Sequence, residues 1–187
     1  MKQLFQHLFV VALLAPNLSF SAESFDVCTN YHCKTSQQVS LTTSQWQTLR
    51  NFFTIDQNAR QERENIRKAI AYMEQEVGQV TGTWQDLGEN YNGSDLPGQL
   101  DCISESRNTT TYLQLMQAAN LLQYHTVQPR KRRAAWIFDV HWTAVIQEKA
   151  TNELFAVDSW YLDNGQPPYI QPLAQWLRKM PFDESTD

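Results

Sequence analysis

The stretch WIFDVHWTAVIQEKATNELFAVDSW, residues 136–160, decides how the rest of the chain is read. Two runs rich in β-branched and aromatic residues, Trp136 to Gln147 and Glu153 to Trp160, flank a Lys-Ala-Thr-Asn turn of hairpin length. Alternation then sorts the side chains. One face collects Phe138, Val140, Trp142, Ala144 and Ile146 with Phe155 and Val157, a nearly uninterrupted core surface. The other collects Asp139, His141, Thr143 and Val145 with Ala156 and Asp158, a mixed face suited to a site. If Glu148 opposes Glu153, His141 opposes Trp160 and Asp158 lies on the diagonal; a slip of two sets His141 directly against Asp158. Both registers keep imidazole and carboxylate on one side, and opposed Cβ atoms about 4.5–5.5 Å apart bring them within reach. A slip of one would bury both groups among the aromatics, at about 2–7 kcal/mol for each unpaired one.

Upstream, Leu113, Met116, Ala119 and Leu122 recur at helical spacing behind Cys102, with Asn108 or Thr109 as the expected cap. Cys102 therefore lies at or just before a helix start. Residues 81–101, rich in Gly, Asn, Asp and Pro, read as a long loop leading into it. Earlier still, Trp46, Leu49, Phe52 and Phe53 give an apolar face to a helix from Ser44. Ile66, Ala69, Ile70, Met73 and Val77 do the same for a longer helix from Gln57 to Val77. Gln123 to Val127 reads as a short strand, and Arg130-Lys131-Arg132-Arg133 as a solvated loop after it or, alternatively, a contact for an acidic substrate or surface. Beyond the hairpin, Asp163-Asn164-Gly165 marks a turn, Pro167-Pro168 an extended exit, and Pro172 a final helix carrying Leu173, Trp176 and Leu177. Helices followed by antiparallel strands indicate an α+β domain.

Residues 1–21, MKQLFQHLFVVALLAPNLSFS, have the form of a signal peptide. Lys2 supplies the positive end, Leu8 to Ala15 the apolar run, and Ser19 and Ser21 the small residues before cleavage after Ser21 or Ala22. That run is shorter than the roughly 20 residues of a spanning helix. No other segment is long and apolar enough, so the expected product is one soluble domain, residues 22–187, periplasmic or secreted, with no stable membrane insertion after signal cleavage. The formal net charge of −5, one unit more negative without Lys2, argues against nucleic acid as a partner.

In an oxidising compartment the three cysteines are not equivalent. Cys28 and Cys33, in CTNYHC, are close enough to pair, which fixes local shape and contributes about 2 kcal/mol. Cys102 is then the free thiol. A thiol at a helix N-terminus faces the positive end of the peptide dipoles, which favours thiolate. His141 in reach forms a thiolate–imidazolium pair, and Asp158 on the other ring nitrogen fixes the tautomer. Backbone N–H groups at the helix start can hold an oxyanion. Cys102, His141 and Asp158 are the candidate catalytic residues.

The segments LDCISES (100–106), DVHWTAVI (139–146) and FAVDSW (155–160) resemble the transglutaminase-like branch of the papain-like cysteine enzymes. CISESRNTTTYL (102–113) and VDSWYLDNGQPP (157–168) also look like a group of small exported bacterial proteins. The resemblance covers about residues 95–165. It implies that Cys102 is the nucleophile, His141 the general base and acid, and Asp158 the orienting group, with the nucleophile helix packed on a small antiparallel sheet. The implied activity is cysteine-dependent acyl transfer without a cofactor, by hydrolysis or transamidation through a thioester. The substrate class is a peptide or protein amide, cell-wall peptide included. The chain departs from the family in having Asp101 before and Ile103 after the cysteine, and Gln85, Trp84 and Gln99 compete as auxiliary oxyanion donor. Two other readings use the same residues. One is a non-enzymatic periplasmic binding or assembly module retaining the fold; the other is a metal site of Cys102, His141, Asp158 and His125.

Overall fold

Side-chain caps set where the helices begin. The computed structural model describes residues 24–53, 58–94, 96–134 and 140–182. The signal-peptide reading of residues 1–21, Gln57, and the strand reading of residues 136–139 lie outside them. Thr42 opens α1 (Thr43–Asn51) with a reciprocal pair: its Oγ1 accepts from Gln45 N–H, and its own N–H donates to Gln45 Oε1 at 2.7 Å. Asn58 and Gln61 repeat the arrangement at α2 (Ala59–Thr81), which ends on Gly82 in the left-handed region, φ 82°. Asp101 caps α3 (Cys102–Ala118), accepting from Ser104 N–H at 3.0 Å. The expected cap at Asn108 or Thr109 is corrected: both lie buried inside α3. Asn108 bonds the Cys28 backbone in both directions, at 2.7 and 3.0 Å, and Thr109 bonds the Ser159 hydroxyl at 2.9 Å.

Two antiparallel sheets accompany these helices among the described residues. The first is a hairpin of β1 (Ser24–Cys28) and β2 (Ser36–Ser40), joined through a 3-10 turn at Tyr31–Cys33 and closed by the Cys28–Cys33 disulfide. The second has the order β3-β4-β5-β6, from β3 (His125–Ala134), β4 (Val140–Glu148), β5 (Leu154–Asp158) and β6 (Tyr169–Pro172). The short helix α4 (Leu173–Leu177) follows β6 directly. The fold is α+β.

The basic cluster is not a loop. Arg130 to Arg133 belong to β3, an edge strand that pairs with β4 down to Ala134 and carries a register shift between Gln128 and Lys131, at Pro129. Proline cannot donate to the ladder, and charge on an edge discourages further pairing. β6 follows directly on the extended exit at Pro167-Pro168 and pairs Asp158 with Tyr169.

The main core lies between the helices and one sheet face. Ile66, Ile70 and Met73 of α2 and Tyr112, Leu113 and Met116 of α3 meet Ala144, Ile146, Phe155, Val157 and Ile170. The opposite face carries a smaller cluster in which Leu173 and Trp176 of α4 cover Val145 and Ala156. The β4–β5 register follows the first of the two expected alignments, with Glu148 N–H donating to Glu153 O and Ala144 opposite Val157. No helix among the described residues is long and apolar enough to cross a membrane. The disulfide fits an oxidising compartment.

Candidate functional site

The site begins at the first turn of α3, and the amino-terminal hairpin fixes that turn. Cys33 N–H donates to Ser104 Oγ at 2.9 Å, and Ser104 Oγ donates to Asn30 O at 2.6 Å. Asp101 is engaged on both oxygens. Oδ1 accepts from Ser104 N–H and His32 N–H, each at 3.0 Å, and Oδ2 lies 2.6 Å from His32 Nδ1. The helix start therefore presents two free donors. The backbone N–H groups of Cys102 and Ile103 find no acceptor among the described residues. Cys102 is the first helical residue, a free and half-buried thiol.

His141 and Asp158 arrive from β4 and β5. The imidazole donates Nε2–H to Asp158 Oδ2 at 2.7 Å, as the diagonal register allows, and shares the wall of one hollow with the Cys102 thiol. Since Nε2 faces the carboxylate, Nδ1 is left for the thiol. Burial pushes the imidazole pKa down, but the hydrogen bond to Asp158 and the charges of Asp158 and Cys102 outweigh it and raise it to about 9. The ring sits in an aromatic enclosure, with Trp160, Tyr161 and Trp176 centroids at 4.8, 5.3 and 5.6 Å.

Two residues join this constellation that sequence reasoning did not single out. Trp176 of α4 donates its indole N–H to Asp158 Oδ2 at 2.6 Å, so one carboxylate oxygen accepts from both ring and indole. Trp176 had been read only as part of an apolar stripe. Arg133, read as solvated, is buried directly across the β3–β4 ladder from His141. It donates to Trp176 O at 2.6 Å and to the Tyr161 hydroxyl, with its guanidinium 4.3 Å from the Trp176 ring centroid. Alternation puts Arg133 on the same side as Lys131, which stays exposed, so tertiary contact rather than parity singles out Arg133.

Cys102 and His141 line a hollow of about 380 Å³ together with Tyr31, Asn90, Tyr91, Trp160 and Tyr161. The three expected auxiliary donors stand outside it. Trp84 and Gln85 are exposed, and the Gln99 side chain ties the loop together through Gln85 O, Leu87 N–H and Asn90. His125 is likewise elsewhere. It lies at the opposite end of the β3–β4 ladder, paired with Glu148, and its Nδ1 is 2.9 Å from Glu62 in a fully buried contact. That corrects the four-ligand metal reading.

The arrangement can do three things: ionise a thiol against an imidazole, hold that imidazole by a carboxylate, and offer helix N–H groups to an oxyanion. No protein-family model, curated protein or solved structure matches the chain.

Proposed function

We propose that the chain is an exported, transglutaminase-like cysteine enzyme that transfers the acyl group of an amide. The observation that carries this reading is the buried His141–Asp158 hydrogen bond, with the free Cys102 thiol and the same imidazole on the wall of one hollow. Thiolate attack forms an S–C bond and a tetrahedral oxyanion facing the Cys102 and Ile103 N–H groups. Collapse expels the amine, which takes its proton from His141 and leaves a thioester. Water or a second amine then attacks as His141 takes up a proton, releasing the acid or a new amide and restoring the thiolate. The substrate is a peptide or protein amide. The leader-like residues 1–21 and the disulfide support a periplasmic or secreted location.

Alkylation of Cys102 by iodoacetamide, followed by intact mass across pH, tests the assignment. The wild-type thiol should react fast near neutral pH, and His141→Ala should slow it by about tenfold or more. A thiol that reacts only after unfolding in urea, and is indifferent to His141→Ala, would instead support a non-enzymatic module.

A further inference from the structure

Arg133 stands where two hollows meet. The one holding Cys102 and a neighbouring one of about 440 Å³ share Tyr91, Arg133 and Tyr161 on their walls. Arg133 is only 8 % exposed, yet its Nε finds no acceptor. Among the described residues no carboxylate pairs with it. The two carboxylates on these walls are engaged elsewhere, Asp158 by His141 and Trp176, Asp101 by His32. The Trp176 ring beneath the guanidinium supplies a cation–π contact but no counter-charge. A buried cation left in this state is costly, and an anion entering the hollow relieves that cost.

A second polar side chain lines the larger hollow. Gln171 is 8 % exposed and its Oε1 has no donor. The hollow thus sets a forked cation near an amide whose shielded oxygen is unpaired, with Lys179 also on its wall and Tyr169 and Phe182 stacked at 4.5 Å on an apolar side. A peptide end carries both complements, a carboxylate for Arg133 and a backbone N–H for Gln171. Because Arg133 opposes His141 across the ladder, the carboxylate must lie close to the attacked amide, within about two residues at roughly 3.3–3.6 Å each.

We propose that Arg133 and Gln171 form a subsite for the free C-terminal carboxylate of a peptide whose nearby amide is attacked by Cys102. This deepens the acyl-transfer reading and rests on it. The substrate is then a short or terminal peptide segment ending in a free acid, and amidated or internal sequences are poor substrates.

Matched reagents test it without knowledge of the natural substrate. Chloroacetylglycine and chloroacetylglycylglycine are compared with their C-terminal amides on the full-length oxidised protein, with intact mass as the readout. In each case the Sγ–C bond forms as the C–Cl bond breaks and chloride leaves. At one length or both, the acid should alkylate Cys102 about tenfold faster than its amide. A small free thiol under the same conditions supplies the intrinsic ratio. In Arg133→Gln that preference should collapse to the intrinsic ratio, and in Arg133→Lys it should be retained in part. Because the readout is a ratio, any effect of Arg133 on Trp176 and the triad divides out, and the wild-type ratio stands even if a variant does not fold. Equal acid and amide rates in the wild type, or a preference that survives in folded Arg133→Gln, overturn the subsite. If the amide reagents still react fast in that case, the acyl-transfer reading is untouched; if no reagent reaches Cys102 in the folded protein, both fall.

Discussion

Trp176 and His141 compete for the same oxygen of Asp158, and that shared acceptor governs what single substitutions should do. The indole N–H to Asp158 Oδ2 contact, 2.6 Å and buried, is a hydrogen bond to a charged group. Trp176→Phe should therefore destabilise the fold by about 1.5–3 kcal/mol in urea denaturation and slow Cys102 alkylation, because the carboxylate loses one of its two tethers. Asp158→Asn acts on the ring instead. With its folded pKa raised from 6.5 to about 9, His141 should titrate by NMR near that value in the wild type and at a lower pH in Asp158→Asn. The linkage has a definite sign. The contribution of the imidazolium to stability is fully present below 6.5 and is lost as pH rises through about 9. Parity alone put His141 and Asp158 on one face of the hairpin, since period-two alternation leaves few choices once the aromatics must be buried. It had no means of finding Trp176, whose indole nitrogen matters only because α4 folds back over that face.

Among the elements, α3 is held at its start and its middle by one hairpin distant in sequence. Its first turn is held by the Tyr31–Cys33 segment through Ser104 and Asp101, and its middle by Asn108 gripping the Cys28 backbone. Reducing the disulfide, or replacing Cys28 and Cys33 with serine, should cost about 2 kcal/mol and raise hydrogen exchange at the Cys33 and Ser104 amides. Exchange at these amides that is unchanged by reduction would show that the turn holds itself. Asn108→Ala should cost about 1–3 kcal/mol for each Cys28 backbone group left unpaired, readable in the same denaturation series. The helices themselves were legible from spacing, as were β4 and β5, because apolar periodicity reports burial directly. β3 was not. Pro129 and four consecutive basic residues hide an edge strand whose one buried arginine is decided by tertiary contact. The cap of α3 was misplaced for a related reason, since Asn108 and Thr109 have capping chemistry but use it on β1 and the Ser159 loop.

The whole molecule carries a buried acidic seam that no stretch of sequence announces. Glu74 of α2, Asp86 of the loop and Glu105 of α3 are each buried, and burial is the main reason their carboxyls are pushed up, Glu74 to about 7 and Asp86 to about 6. Glu105 is driven well above its ordinary range by burial and by the charges of Glu74 and Asp86. Acids with raised folded pKa values stabilise the fold below their unfolded values, 4.5 for Glu74 and 3.8 for Asp86, and lose that contribution as pH climbs through about 6 and 7. Urea midpoints should therefore fall between pH 4 and pH 7, a window that opens well below that of His141, and Glu74→Gln should flatten the fall. Midpoints that hold level across that range, or fall as steeply in Glu74→Gln, would show that the seam is already charged. The seam was invisible in the sequence because its members come from three segments that meet only when the helices dock. The contact between Cys28 and Asn108 reaches farther still, eighty positions along the chain, whereas the disulfide closes over five. Closing the small loop is entropically cheap and needs nothing downstream, while the large one waits for residues synthesised much later. The amino-terminal hairpin can thus be complete before α3 exists, and the helix that opens on Cys102 docks onto a ready-made template.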